Sequence, residues 1–368
     1  MASATMAPAT IAARLDRLPP SKYLFGLVAR ISAGGFFEFY DLFMTGYIAV
    51  GFVKAGLFRA TTAGFFDING LASFVGSGFA GMFVGTLLFS WVSDRFGRRT
   101  SFVVSLVWYS LATLVMAFMP DAGLIDFWRF VAGIGVGVQL ITIDTYVSEI
   151  TPKDARGTYI AWSQAIVFCA VPVVAVLSLL LVPHQFFGLD GWRYVAMLGA
   201  AGALFIGPIQ RHLPESPRWL ETHGRSHEGD TIMTDMERRT VASTGSALAE
   251  PNVLPQENVA QRGSWREIWS KQYAPRSAML TVFNLFQTIG FYGFAAWVPT
   301  LLVSEGITVT KSLTFVFLIA ILNPFGPLIA MKYADVVERK WQIVGLALLI
   351  ATCGLLCRSS AAPQGSSC

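Results

Sequence analysis

Apolar runs long enough to cross a bilayer recur along this 368-residue chain, separated by short loops that hold most of its charge. A helix needs roughly 20 apolar residues to span a hydrocarbon core about 30 Å thick. Inside lipid every backbone polar group must be bonded within the protein, so only helices and closed barrels can span. The runs lack the period-2 alternation of barrel strands, which excludes that solution. Composition agrees. Only 14% of residues are charged, against about 25% in soluble proteins. The fold class is therefore an all-α polytopic membrane protein.

Spanning helices are expected at residues 24–52, 70–92, 100–119, 125–147, 158–183, 191–210, 277–303, 312–331 and 341–357. The chain then divides into an N-terminal segment (1–23), a six-helix bundle (24–210), a central loop (211–275), a partial second bundle of about three helices (276–357) and a polar tail (358–368). Residues 1–23 carry Arg14, Arg17 and Lys22 and lack the apolar core and cleavage site of a signal peptide. With the N-terminus inside, the inner segments hold about 20 of the 27 Lys and Arg and the outer loops about 4. The short inner loops agree, with Arg95, Arg98 and Arg99 in one and Lys332, Arg339 and Lys340 in another. The expected setting is a cell membrane, crossed many times by a monomer with a cytoplasmic N-terminus.

Several function classes drop out. Cys169, Cys353, Cys357 and Cys368 show no metal or disulfide spacing and read as packing residues. His184, His212, His223 and His227 fall in loops, so a membrane-buried histidine relay is not expected. The net charge of +4 is loop charge without nucleic-acid meaning. No Walker-type G-x-x-x-x-G-K-[ST], H-E-x-x-H or nucleophile elbow occurs. The chain is not expected to be an enzyme or to need a cofactor.

One loop recurs. Ser93-Asp94-Arg95-Phe96-Gly97-Arg98-Arg99 follows the second span, and Ala334-Asp335-Val336-Val337-Glu338-Arg339-Lys340 follows the eighth, the second after the long loop. An echo at matching places in two halves points to a duplicated carrier.

These motifs resemble the major facilitator superfamily. Asp94 to Arg99 is similar to its loop between helices two and three, with Ser90 where the pattern begins with Gly. Arg129 with Gly133, Gly135 and Gly137 resembles its fourth-helix pattern. Glu149 with Arg156-Gly157, and Pro214-Glu215-Ser216-Pro217-Arg218-Trp219-Leu220, resemble the sugar-porter and metabolite–proton symporter branches. Glu38-Phe39-Tyr40-Asp41 is similar to the paired acidic motif of aromatic-acid–proton symporters. The resemblance covers about residues 24–340 and implies two six-helix bundles rocking about a central site. Against twelve helices, the nine expected here imply C-terminal truncation, and the tail from Arg358 to Cys368 reads as frameshift-derived.

Glu38 and Asp41 are the leading candidates for proton coupling. Three apart on a helix, they share a face. Carboxylates at membrane depth are costly and usually functional. Burial and mutual repulsion oppose both being charged at once, so the two titrate as one unit. The alternative is a structural pairing with a buried cation or hydroxyl. Arg30 lies about three turns, or ~16 Å, before Asp41, and either lines the inner path or snorkels to the headgroups. Arg129 could hold a substrate carboxylate or answer an acid of the first helix. The resemblance ties its position to proton coupling. Gln139, Thr142 and Asp144 could line the same path.

In the second half Gln287, Tyr292, Trp297 and Asn323 offer polar edges and aromatic faces, with ordinary packing as the alternative. The chain's 29 Phe residues are too scattered to define a pocket. G-x-x-x-G spacings at Gly81/Gly85 and Gly133/Gly137 mark close helix packing, and Pro172 a kink. Asp94, Arg95, Arg98, Arg99, Glu149, Arg156, Glu215 and Arg218 form an expected inner-face gate of salt bridges. The resemblance places Asp94 opposite the start of an eleventh helix.

The function expected is secondary active transport: uptake of a small organic metabolite such as an aromatic or organic acid, or a sugar, in symport with protons. The partners are that substrate, the proton and the lipid bilayer. Proton antiport exporting drugs or metabolites, and a non-transporting remnant of a carrier, are the alternatives.

Overall fold

A computed structural model describes residues 10–59, 70–205, 213–251, 267–304 and 306–361. Of the residues singled out above, His212 and Cys368 lie outside the described set, as do residues 206–210 of the expected sixth span. The side chains of Ser90, Trp297, Cys357 and Arg358 lie outside it as well.

The first half is built on α2 (Lys22–Lys54), whose N-cap Ser21 accepts from Leu24 N at 3.3 Å. At about 1.5 Å per residue its 33 residues exceed the bilayer core in length. Packed around it are α3 (Leu71–Phe96), α4 (Arg98–Met116), α5 (Ala122–Ile150), α6 (Arg156–Phe168), α7 (Ala170–Leu181) and α8 (Gly191–Ala200). The closest pairing is α3 on α5. It rests on the two G-x-x-x-G stripes, because a Cβ at Gly81 or Gly85 would collide with the carbonyls of Phe130 or Ile134, and one at Gly133 or Gly137 with those of Gly78 or Met82.

The expected kink takes the form of a break. Pro172 has no N–H for the Phe168 carbonyl and crowds it. Accordingly α6 ends at Phe168, and Cys169 separates it from α7. A two-strand hairpin, β1 (Gln185–Phe186) and β2 (Leu189–Asp190), links α7 to α8. Its turn residues Phe187 and Gly188 both have positive φ, 49° and 78°, as a two-residue hairpin of matching twist requires.

The segment between the halves carries α9 (Pro217–Thr222) and α10 (Ser226–Thr244). The second half holds α11 (Ala274–Ser304), α12 (Val309–Ala320), α13 (Phe325–Ala330) and α14 (Arg339–Ala361). It meets the first through α11 on α2, α12 on α7 and α13 on α6. Among the described residues six helical stretches are long and apolar enough to cross a membrane: Lys22–Lys54, Leu71–Phe89, Arg98–Met116, Ala122–Ile150, Lys153–Leu181 and Val309–Ala330. The other three expected spans fall on α8 with its 3-10 extension (Ala201–Phe205), on α11 and on α14. Phe83, Leu88, Leu111, Leu348 and Ile350 are exposed, as lipid-facing positions require.

The N-terminal segment forms α1 (Ile11–Asp16), which the sequence reading left without structure. Its Ile11 and Leu15 are buried in one core with Met233 and Met236 of α10. Arg14 donates to Glu237 at 2.8 and 3.0 Å, and Arg17 to Glu237 at 2.8 Å. Burial pushes the Glu237 carboxyl up, but the hydrogen bonds from Arg14 and Arg17 outweigh it and hold it below its ordinary 4.5. The folded value is thus the lower one. Its stabilisation is complete above about pH 4.5 and is lost as pH falls through the depressed folded value. The protection factor of residues 11–17, measured against the intrinsic exchange rate at each pH, is expected to hold from pH 8 to about 5 and then to fall in more acid solution. Glu237→Gln should exchange rapidly across the whole range.

Candidate functional site

Two turns of α2 carry Glu38, Asp41 and Thr45 inward, where α4 and α5 pack against them. Arg129 of α5 donates from Nη1 to Asp41 Oδ2 at 2.6 Å, and from Nη2 to Thr45 Oγ1 at 2.5 Å and to the Asp41 carbonyl at 3.1 Å. Thr113 of α4 donates to Asp41 Oδ1 at 2.7 Å. Asp41 is 0% and Arg129 2% exposed. The guanidinium lies 5.7 Å from the Phe74 ring centroid, a cation–π distance. Arg129 therefore answers the first-helix acid, and both oxygens of that acid are engaged.

Glu38 is placed differently. It is 1% exposed, and its Oε1 has no hydrogen-bond partner among the described residues. The acids that act on it electrostatically are Asp144 and Asp41. Gln139 of α5 is buried, accepts from Ser105 at 3.3 Å and leaves Nε2 unpartnered among the described residues. The Tyr109 hydroxyl is likewise buried and unpartnered. Among the described residues Asp144 receives a long bond from Gln164, at 3.5 Å. Thr142 is turned to its own helix, donating to the Val138 carbonyl at 2.7 Å.

Not all expected path residues converge. Arg30 is exposed and acts electrostatically on Tyr23, near the end of α2. Gln287 is exposed on α11. Asn323 donates to the Ala320 carbonyl at 3.2 Å, closing the end of α12. Tyr292 does converge, packing 6.4 Å from Phe43 and 6.0 Å from Phe79 in ring-centroid distance.

The gate residues gather at the end of the bundle that carries α1. Arg98 binds Glu149 through Nε and Nη2 at 2.9–3.2 Å, and Asp94 through Nη1 at 2.7 Å. Glu215 accepts from the backbone N–H of Arg98, Arg99 and Ser216 at 2.8, 3.1 and 3.0 Å. It thereby caps α4. Gly97 makes room for it, because φ is +96° there and a Cβ would strike the Glu215 carboxylate. The Trp219 indole donates to the Asp94 carbonyl at 2.7 Å. Arg95 stands apart, 6.0 Å from Trp91 and 5.8 Å from Phe96.

Arg218 binds Asp16 of α1 at 2.8 Å. Asp16 also accepts from Lys153 N at 3.0 Å, just before Arg156 opens α6. The first turn of α6 is held from the second half. Gly157 N donates to Asp335 Oδ1 at 2.8 Å, while Thr158 N and Oγ1 each donate to Oδ2 at 2.7 Å. A carboxylate on exposed N–H groups at a helix start is a favourable cap. Sequence reasoning assigned Asp335 no role, although its place opposite Asp94 in the repeated loop was the available signal. It missed Asp16 altogether.

Comparison with known proteins agrees with this architecture. Residues 27–367 match the family model described as "Sugar (and other) transporter". The chain is 31% identical to YyaJ of Bacillus subtilis over 93% of its own length and 73% of that protein's. It is 29% identical to the niacin transporter NiaP of Acinetobacter baylyi, over 94% of its own length and 74% of NiaP. In fold it is similar to the xylose transporter XylE of Escherichia coli in a partially occluded inward-open conformation. That match has a TM-score of 0.65 at 20% identity, covering 87% of this chain and 75% of XylE. The chain belongs to the sugar (and other) transporter family of the major facilitator superfamily. It is a multi-pass membrane transporter, not an enzyme.

Loss of a helix-capping carboxylate costs about 0.5–2 kcal/mol. Asp335→Ala is therefore expected to shift the equilibrium between the capped and released forms of this contact by about two- to thirtyfold. Maleimide labelling of a single cysteine beside Thr158 measures the shift. Labelling should speed up in Asp335→Ala while thermal stability changes little.

Proposed function

We propose that this chain imports a small organic metabolite in symport with protons, with its N-terminus in the cytoplasm and the proton gradient as energy source, without a bound cofactor. The observation that carries this reading is the buried pair Asp41–Arg129, 2.6 Å apart and closed off from solvent. A proton reaching Asp41 removes the charge that Arg129 Nη1 is bound to. Arg129 is then an unpaired buried cation, which costs several kcal/mol. That cost favours a rearrangement of α2 against α5, the elements that carry the pair. Return of the carboxylate charge on the other side restores the contact. Coupling arises because the protonated and unprotonated forms favour different conformations.

Glu38 belongs to the same titrating group through its electrostatic link to Asp41. Asp335 against the first turn of α6, and the Arg98–Glu149–Asp94 cluster, form the inner gate that opens when the halves rock. Individually such contacts contribute little, which suits a switch. A niacin transporter among the relatives and a xylose transporter among the structural neighbours support a small organic metabolite as cargo.

Two measurements test the reading. In proteoliposomes with an imposed pH gradient, at least one member of a pool of small neutral aromatics, aromatic acids and sugars should accumulate with the wild type. Asp41→Asn should reduce this to the level of empty liposomes, and unchanged gradient-driven uptake in that variant would refute the coupling role. Orientation is tested in cells after replacing the natural cysteines. An impermeant maleimide should label a cysteine placed at Phe187, fully exposed at the hairpin turn, and spare one at Ser243 on α10.

A further inference from the structure

Aromatic rings from both halves meet beside Glu38. Phe43 of α2 lies 5.9 Å from Phe291 and 6.4 Å from Tyr292, both on α11. Phe168, the last residue of α6, lies 6.2 Å from Phe291 and 5.2 Å from Phe39. Tyr292 extends the group to Phe79 of α3 at 6.0 Å. Four of these contacts cross between the halves, at interplanar angles of 82°, 47°, 83° and 66°. None is a parallel stack; the rings meet edge-to-face or tilted. Phe168, Phe291 and Tyr292 are only half-buried, although they adjoin the core.

The polar groups here have a definite character. Glu38 Oε1 is buried and unpartnered among the described residues. Tyr292 is electrostatically linked to Glu38 and Asp144. Gln164 lies one turn before Phe168, on the same side of α6. Arg129 is spent on Asp41 and Thr45. An anionic guest would meet Glu38 and Asp144 with the neighbouring cation already engaged. A polyhydroxylated guest needs hydrogen-bond partners along its whole edge, and most of this wall is hydrocarbon ring. A flat, uncharged ring gains apolar burial and edge-to-face contact on several sides. A donor group on its rim can satisfy Glu38.

We propose that this meeting point is the substrate site and that it takes a neutral planar aromatic monocycle carrying a hydrogen-bond donor, with Phe43, Phe168, Phe291 and Tyr292 enclosing the ring and Glu38 accepting from the donor. The proposal rests on the carrier reading above, since a site lined by both halves matters only if they move against each other. It adds the substrate class and gives Glu38 a contact role distinct from that of Asp41.

The test is equilibrium binding to the full chain in detergent, without a gradient, using benzamide, benzoate and D-xylose at pH 8. Benzamide and benzoate share shape and differ in charge. Benzamide should bind, benzoate at least about tenfold more weakly, and D-xylose not measurably; tenfold corresponds to about 1.4 kcal/mol. Phe43→Leu and Phe291→Leu keep bulk and lose the aromatic edge, and each should weaken benzamide about two- to tenfold. Glu38→Gln should narrow the benzamide–benzoate difference. Binding of D-xylose in preference to benzamide, or leucine variants that bind benzamide like the wild type, would overturn the proposal. Gradient-driven uptake of another substrate without benzamide binding would overturn this site alone. Benzamide binding without gradient-driven uptake would support the site and count against proton coupling.

Discussion

The buried pair of Asp41 and Arg129 is the interaction on which the rest of the first bundle depends. Two charges at membrane depth are tolerable only if each satisfies the other and the remaining donors and acceptors are filled. Here Thr113 and Thr45 supply further contacts, at 2.7 and 2.5 Å, while Arg129 Nε has no hydrogen-bond partner among the described residues. The pair therefore ties α2 to both α4 and α5 through polar bonds in an otherwise apolar interior. The close approach of α3 to α5, made possible by glycines, brings Gly78 against the Arg129 side chain. The charge is thus walled in by helix backbone. Such an arrangement holds while both charges are present and becomes costly when one member loses its charge.

Helix α6 links this centre to the proposed gate. Its first turn is capped by Asp335 of the second half, and the loop before it is held by Asp16 of α1. Its last residue, Phe168, stands among the aromatic rings where the halves meet. The break at Cys169 sits directly beyond, imposed by Pro172. A rigid segment with one end at the gate and the other at the crossing of the halves can transmit movement between them. The N-terminal helix, docked on α10 through Arg14 and Arg17, braces that lever from outside the membrane.

Much of this was legible in the chain itself, for physical reasons. Apolar runs of spanning length with charged loops allow only helices, and helices were found at every expected span. Carboxylates in an apolar run stand out because lipid penalises them, so Glu38 and Asp41 could be named directly. Arg129 was equally visible, and the structure decides between its two possible partners. Contacts that depend on distant segments were not legible. Asp335 looks like any loop acid until α6 is brought beneath it. Asp16 and Arg218 are 202 residues apart, with nothing local to join them. The aromatic crossing was hidden for a statistical reason, because 29 Phe residues offer many groupings and only the packing selects one. Arg30, Gln287 and Asn323 show the reverse case. Polar character suggested a path, and helix rotation or a helix end took them elsewhere.

The account stands on Asp41 being the group that changes protonation within a closed pair. Infrared difference spectroscopy on the reconstituted protein, recorded as pH is stepped, reports this without needing the substrate. The account predicts a buried carboxylic C=O band that grows as pH falls, with a component that disappears in Asp41→Asn and shifts in Arg129→Lys. Spectra of Asp41→Asn that superimpose on the wild type at every pH would contradict it.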